Sequence, residues 1–402
     1  MKLSKKYVNQ ALEDLNFRDM MPIQEAVIPE ALKGRDIIGC SQTGSGKTHA
    51  FMIPVFEHLQ EDTHEIQTVI VSPTRELASQ LYEVARHIAS FYEGSIDIRL
   101  YTGGQDRSRE IERLKKSQPQ IVIGTPGKIY DLAIKENVLK TYKAKKLIID
   151  EADMALEIGF LTEIDEIART MNDALQMMVF SATVPETLQP FLRKYMTQPK
   201  AVMLDDLSLS ALNIDHKFIR YSSDEDREFK WQKMLKGLNP YLALIFANKK
   251  EDVEKIYQSM FQAGYNVTTI HGDMPPRKRK QVLKEINRLR YQYVVASDMA
   301  SRGLDIDGIS HVINYDLPKD MAFFIHRIGR TGRAGHHGET ISFYSQKDTH
   351  ALEFMEKHKM DVDIKELKPR QKRQPKPEPM GPRKKLKVKP NYKKKLKQKK
   401  KR

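Results

Sequence analysis

Two clusters along the chain have the residue types to bind and activate a polyphosphate. The first is Ser41-Gln42-Thr43-Gly44-Ser45-Gly46-Lys47-Thr48, between the apolar run Ile37-Ile38-Gly39-Cys40 and a helix-compatible stretch, His49-Ala50-Phe51-Met52. Strand, glycine-rich loop and helix in that order make a phosphate cradle. Glycines let backbone N–H groups turn inward, and the helix N-terminus adds partial positive charge. Lys47 supplies a mobile cation, and the Thr48 hydroxyl can reach Mg2+. The strict pattern asks for Gly where this chain has Ser41, and a Gly/Ser-rich surface turn is the plainer alternative. The second cluster is Asp150-Glu151-Ala152-Asp153, after the apolar run Lys146–Asp150. A carboxylate at the end of a buried strand can hold Mg2+, and a neighbour can orient and deprotonate an attacking water. Asp150 suits the first task and Glu151 the second. Alone, the quartet reads equally well as the acidic start of a helix. Downstream of a phosphate loop, the catalytic reading leads.

Both clusters need strands to hold them. Short apolar, β-branched runs recur, each followed by a polar stretch long enough for a helix. In the first half they are Asp36–Cys40, Thr68–Ser72, Ile96–Tyr101, Gln120–Gly124, Lys146–Asp150 and Met177–Ser181. In the second half they are His216–Tyr221, Leu242–Ala247, Asn266–Ile270, Gln292–Ala296, His311–Tyr315 and Glu339–Tyr344. The runs are continuous rather than alternating, as strands buried on both faces of a parallel sheet are. The expected fold is therefore α/β, two tandem doubly wound parallel-sheet domains. Expected boundaries are residues 1–206 for the first domain, 207–213 for a linker, 214–367 for the second domain and 368–402 for a tail.

Charge separates the tail from the body. The 402-residue chain has a net charge of +15, yet residues 368–402 carry 18 Lys and Arg against one acid, Glu378. The body holds 50 basic and 52 acidic residues. Six prolines among the tail's lysines predict disorder there. No apolar run is long enough to span a bilayer, and no apolar stretch follows the basic start as a secretory signal requires. A single cysteine, Cys40, excludes an intrachain disulfide and fits a reducing cytoplasm.

With further segments, these clusters resemble in order the motifs of the DEAD-box RNA helicases of helicase superfamily 2, bacterial in type, over about residues 10–345. Phe17 and Met21-Pro22-Ile23-Gln24 resemble the Q motif, Ser41–Thr48 motif I, and Pro73-Thr74-Arg75-Glu76-Leu77-Ala78 motif Ia. Gly103-Gly104 and Thr125-Pro126-Gly127-Lys128 resemble the next RNA-side motifs, Asp150–Asp153 motif II, and Ser181-Ala182-Thr183 motif III. Leu244–Ala247, then Ser297-Asp298 with Ser301–Asp305, then His326–Arg333 resemble motifs IV, V and VI. The resemblance implies two RecA-like domains with Mg2+ and ATP in the cleft between them. It implies adenine recognition by Gln24 and Phe17, phosphate binding by Ser41, Gln42, Thr43, Gly44, Ser45, Gly46, Lys47 and Thr48, and a ribose contact from Asp305. Arg330 and Arg333 would be arginine fingers, Thr48 and Asp150 metal ligands, and Ser181, Thr183, Asp153 and His326 the link between nucleotide and RNA. RNA would be held by its backbone at Arg75, Gly104, Thr125, Lys128, Arg279, Ser297 and Asp298. Such contacts carry no direct sequence information.

The chain departs from the family pattern in places. Met20-Met21 stand for the usual Pro-Thr, Lys128 for a frequent Arg, Ser297 for a frequent Thr and Pro276 for a common Gln. The place of the family's isolated upstream aromatic falls at or before Met1. The implied activity is RNA-stimulated ATP hydrolysis that opens short RNA duplexes or remodels RNA–protein complexes. RNA, as single strand or short duplex, is the expected partner of a monomer with no membrane role. Ribosomal and RNA-decay assemblies are open as settings. The basic tail fits a non-specific RNA anchor better than a protein-docking peptide, a localisation signal, a solubilising tail or a membrane tether, for which its apolar residues are too few to make an apolar face.

Overall fold

The computed structural model describes residues 3–365 except 18, 42–43, 105, 172–173, 205–213, 273, 298–305, 307, 320, 333–336 and 359. The expected linker, residues 207–213, and the tail lie outside the described residues.

Fourteen described strands form two seven-stranded sheets. The first contains β1 (Ile37–Cys40), β2 (Thr68–Val71), β3 (Ile98–Tyr101), β4 (Ile121–Gly124), β5 (Lys146–Ile149), β6 (Gln176–Ser181) and β7 (Lys200–Met203). The second contains β8 (Ile214–Arg220), β9 (Ala243–Ala247), β10 (Val267–Ile270), β11 (Tyr293–Ser297), β12 (His311–Asn314), β13 (Gly338–Tyr344) and β14 (Val362–Lys365). Their orders are β3-β4-β2-β5-β6-β1-β7 and β10-β11-β9-β12-β13-β8-β14. Every neighbouring pair is parallel. The second sheet thus repeats the first position for position, with β8 in the place of β1. The two parallel α/β domains expected from the apolar runs are present.

β7 and β14 were not expected. Both are edge strands: Lys200, Ala201 and Met203 of β7 and Asp363, Ile364 and Lys365 of β14 are exposed. The apolar-run signal depends on burial of both faces, which an edge strand lacks.

Parallel strands bring their C-terminal ends to one side of a sheet, where the connecting loops meet. There the Ser41 N–H donates to the Ser181 carbonyl (3.1 Å), tying the loop after β1 to the end of β6. Behind it, the helix Lys47–Glu57 buries Phe51 against Phe180, with ring centroids 5.1 Å apart. Burial of a side chain of that size stabilises by about 1.5–3 kcal/mol. Gly39 makes the approach possible, since a Cβ there would strike the Phe180 ring at 2.6 Å. The helix after β8, Asp224–Gly237, starts differently. Ser223 caps it by accepting from the Asp226 N–H, and Asp224, Glu225 and Asp226 fill its first turn.

The second domain carries a pH-sensitive contact. His216 in β8 is 5% exposed, and its Nδ1 lies 2.8 Å from Thr340 Oγ1 on β13. Burial pushes its pKa down to about 4, partly offset by the charges of Asp215 and Asp361. The unfolded imidazole binds its proton near the ordinary 6.5, so stability is complete above that pH and falls as the pH drops towards 4. We expect a loss of up to about 3 kcal/mol across that window. Thermal unfolding followed by the single tryptophan, Trp231, which is buried in this domain, should show it. His216→Gln should flatten the dependence. An equally steep profile in the variant would assign it to other groups.

Candidate active site and nucleic-acid cleft

The phosphate loop closes on itself. Gly44 and Gly46 have φ of 85° and 90°, in the left-handed region that glycine tolerates. Ser41 Oγ and Ser45 Oγ are 2.7 Å apart, so the departure at Ser41 provides a bond across the loop. Lys47 opens the following helix and is buried. Its Nζ donates to the Ser41 carbonyl (2.6 Å) and lies 3.9 Å from Glu151 Oε1. Thr48 follows on the same turn. Gln42 and Thr43 lie outside the described residues.

Gln24 anchors a neighbouring helix, Pro22–Leu32, to this loop. Its Oε1 accepts from the Met21 N–H (2.8 Å), and its Nε2 donates to the Gly46 carbonyl (3.0 Å). The carboxamide keeps one further donor and one further acceptor site. A Cβ on Gly46 would collide with Gln24 Nε2, so Gly46 is required both by its φ and by this approach. Phe17 packs 5.9 Å from the His49 ring, on the helix that Lys47 begins.

The acidic quartet stands at the end of β5, with the Asp150 N–H bonded to the Val71 carbonyl of β2 (2.9 Å). Glu151 has φ 49° and ψ 54° and precedes the helix Ala152–Ile158. A left-handed conformation costs a non-glycine residue about 1–2 kcal/mol and concentrates at functional sites. Its Oε2 is buried with no hydrogen-bond partner. Asp150 is also buried; burial, then the charge of Glu151, pushes its pKa up to about 7 against the pull of Lys47. Two buried carboxylates facing one ammonium leave negative charge uncompensated. Hard oxygen donors with surplus negative charge fit a divalent cation such as Mg2+.

Asp153 behaves in the opposite way. Burial, the largest single influence, opposes its charge. Hydrogen bonding to His326 and the His326 charge, with bonds to Ser181 and Thr183, outweigh burial and hold it well below the usual carboxylate range. Its Oδ2 accepts from the Thr183 N–H (3.0 Å) and Oγ1 (2.9 Å), and its own N–H donates to Ser181 Oγ (3.0 Å). His326 Nε2, from the helix Met321–Ile328 of the second domain, stands 3.4 Å from the same Oδ2. Ligand atoms of Glu151, Asp153 and His326 lie within 4.8 Å of one another. Asp153 is already engaged by Thr183 and His326, so this trio is better suited to joining the domains than to holding a metal. Arg330 is buried just beyond the His326 helix. Arg327 is used within its own domain, donating to Asn314 Oδ1 (3.1 Å) and Asn248 Oδ1 (2.8 Å). Asp305 and Arg333 lie outside the described residues.

A cleft of about 1160 Å3 is lined by both domains. Arg75, Gly104, Thr125, Lys128 and Arg279 all face it. Ser297, at the end of β11, is not among its lining residues, and Asp298 is outside the described set. A Cβ on Gly103 would meet Arg75 Nη2 at 2.5 Å, so that glycine leaves the guanidinium its place. The sequence did not single out two carboxylates here. Lys128 Nζ pairs with Glu110 Oε2 at 2.5 Å, and Arg279 Nε with Glu76 Oε1 at 2.6 Å, the second pair joining the domains. Glu76 sits within motif Ia and could have been flagged by its place beside Arg75. Glu110 gives no local signal.

Comparison with known proteins agrees with this arrangement. Residues 21–191 match the DEAD/DEAH box helicase family and residues 229–335 the helicase conserved C-terminal domain. The chain is 42% identical to the DEAD-box ATP-dependent RNA helicase CshB of Listeria monocytogenes, over 97% of this chain and 93% of that protein. It is also 42% identical to CshB of Bacillus subtilis, over 98% and 93%. S. cerevisiae Dbp5 bound to RNA and ADP BeF3 has a similar structure, with a TM-score of 0.80 and 26% identity, covering 90% of this chain and 94% of that one. With a helicase family model matched in each half and relatives 42% identical over nearly the whole chain, the chain belongs to the DEAD-box ATP-dependent RNA helicases.

Proposed function

We propose that this helicase hydrolyses ATP at Glu151 and transmits the event to RNA through Asp153. The bond set Thr183–Asp153–His326 carries this reading, because it joins the quartet, the end of β6 and the second domain at one carboxylate. Gln24 and Phe17 receive the adenine, and Lys47 leaves the Ser41 carbonyl to meet the phosphates. Thr48 and Asp150 would hold Mg2+, which when bound neutralises charge on the phosphate oxygens. Glu151 takes a proton from the attacking water. Arg330 approaches the transferring phosphoryl group from the second domain, and Arg333 and Asp305 are assigned by their motifs.

RNA lies along the cleft, its phosphates replacing Glu110 at Lys128 and Glu76 at Arg279; Ser297 and Asp298 are assigned to RNA by motif alone. Both halves of the site come from one chain, which supports action as a monomer. Among the described residues no helix is long and apolar enough to cross a membrane. A cytoplasmic setting, where ATP and RNA are both present, and ribosomal or RNA-decay assemblies as targets complete the proposal.

Steady-state ATP hydrolysis with single-stranded RNA, matching DNA or neither tests it. We expect RNA to raise the rate at least about tenfold through domain closure, and DNA to do far less because it lacks the 2′-hydroxyl. Equal rates with and without RNA would overturn the transmission.

A further inference from the structure

One helix of the second domain carries more charge than the ATP site and the cleft account for. Residues 276–290 contain seven Lys and Arg against one acid, Glu285, in a body that is near neutral only when they are included. Arg279 belongs to the cleft. The other six, Arg277, Lys278, Lys280, Lys284, Arg288 and Arg290, are all exposed, and none has an ion-pair partner among the described residues.

The tandem fold supplies an internal control. The helix Pro276–Asn287 connects β10 to β11, as the helix Arg107–Lys116 connects β3 to β4. That first-domain helix is also basic, but its three arginines are each paired with a carboxylate, leaving only Lys115 and Lys116 at its C-terminal end. Arg107 pairs with Asp131 and Glu136, Arg109 with Asp106, and Arg113 with Asp97. It is capped by Asp106 and has Glu110 in its first turn. The second-domain helix has no acid in its first turn, where Arg277 and Lys278 sit. Cations at a helix N-terminus oppose the helix dipole. The dipole can account for Lys284 and Arg288 near the other end, but not for these two.

The charge is also ordered. Arg277, Lys280, Lys284 and Arg288 follow at helical spacing along one face, a stripe about 16 Å long. Lys280 lines the RNA cleft beside Arg279, whereas Arg277, Lys284 and Arg288 are not among its lining residues, so the stripe touches the cleft at one point and extends beyond it. β14, which precedes the basic tail, stands at the opposite edge of the sheet from β10.

We propose that this ridge is a second nucleic-acid contact surface, taking RNA backbone phosphates that lie outside the cleft and so lengthening the bound segment. The inference rests on the cleft holding RNA. The phosphates can come from the continuing single strand or from a flanking duplex.

The test uses the full chain carrying Arg277→Gln, Lys284→Gln and Arg288→Gln together, none of which touches the ATP site. Binding is measured by anisotropy with a non-hydrolysable ATP analogue. The RNAs are a strand of about 8 nucleotides, within typical single-strand groove footprints, one of about 30, and the longer one part-paired. The variant should bind the short strand as wild type does. It should bind longer RNA roughly ten- to a hundredfold more weakly at about 0.1 M salt, with a log–log salt slope shallower by about 2. Loss on both long RNAs assigns the ridge to strand phosphates, and loss on the part-paired RNA alone assigns it to duplex. The charge-conserving swap Arg277→Lys, Lys284→Arg, Arg288→Lys should restore the wild-type slope.

Unchanged affinity for both long RNAs would overturn the proposal and leave an acidic protein surface as the occupant. Equal loss on the short strand, or no rescue by the swap, would overturn it too. Failure of wild type to bind the short strand would instead count against the cleft.

Discussion

Glu151→Gln is expected to lower RNA-stimulated ATP hydrolysis by about 10²–10⁴-fold while leaving ATP binding and the fold in place. The replacement has the same shape and removes only the charge and the capacity to take a proton. Lys47 loses its 3.9 Å ion pair with Glu151 but keeps its bond to the Ser41 carbonyl, and the Ser41–Ser45 bond across the loop does not involve Glu151. The left-handed backbone at Glu151 is unchanged, so the strain that aims the side chain persists. Removing the charge also removes the second-largest influence raising the pKa of Asp150, which should then ionise more readily. Nucleotide affinity should therefore hold or improve as kcat collapses. Fluorescent-nucleotide titration beside single-turnover hydrolysis separates the two quantities. A variant with undiminished turnover would remove Glu151 from proton transfer.

Asp153→Asn should have the next largest effect, and on a different observable. The carboxylate accepts from Met154 N–H at Oδ1 (2.9 Å) and from Thr183 at Oδ2, where His326 also points. An amide has one oxygen and one NH2, so in either orientation a donor meets a donor. Bonds to a buried charged group contribute roughly 1.5–3 kcal/mol each. Closure of the domains should weaken by about 3 kcal/mol, close to a hundredfold, and duplex unwinding should fall further than hydrolysis does. Distance-sensitive fluorescence between labelled domains measures closure directly. A double-mutant cycle with His326→Ala should show an interaction energy of at least about 1 kcal/mol. Strictly additive losses would mean that the two side chains act independently.

Legibility in the sequence followed burial and backbone geometry. The β5 and β9 runs could be read because both faces of those strands are covered. β7 and β14 could not, because an edge strand such as Val362–Lys365 presents its residues to solvent and has no apolar signature. Motif order identified Arg75, Gly104, Thr125, Lys128 and Arg279, which gather in one cleft, and Asp153 with His326, which meet across the domains. It could not show that Lys128 and Arg279 are already held by carboxylates, because Glu110 and Glu76 reach them only through folding. Nor could it show that Gln24 fastens its helix to Gly46, a bond 22 residues apart in the chain. The left-handed turn at Glu151 had no residue signal, since glutamate is not a residue chosen for that conformation.

The repeated strand order has a consequence for stoichiometry. β1 and β8 occupy the same slot in their sheets, and each is followed by a helix whose N-terminus could hold an anion. In the first domain that end is a glycine-rich turn and a lysine. In the second it is Ser223 followed by Asp224, Glu225 and Asp226, with Asp226 Oδ2 taking the Ser222 N–H (2.9 Å), the Ser222 hydroxyl (3.0 Å) and Lys230 Nζ (2.9 Å). The duplicated slot is filled by its own carboxylates, which repel phosphate where its twin attracts it. The two halves are therefore copies in architecture and complements in charge. A phosphate-binding helix start of this kind therefore occurs in the first copy of the slot and not in the second.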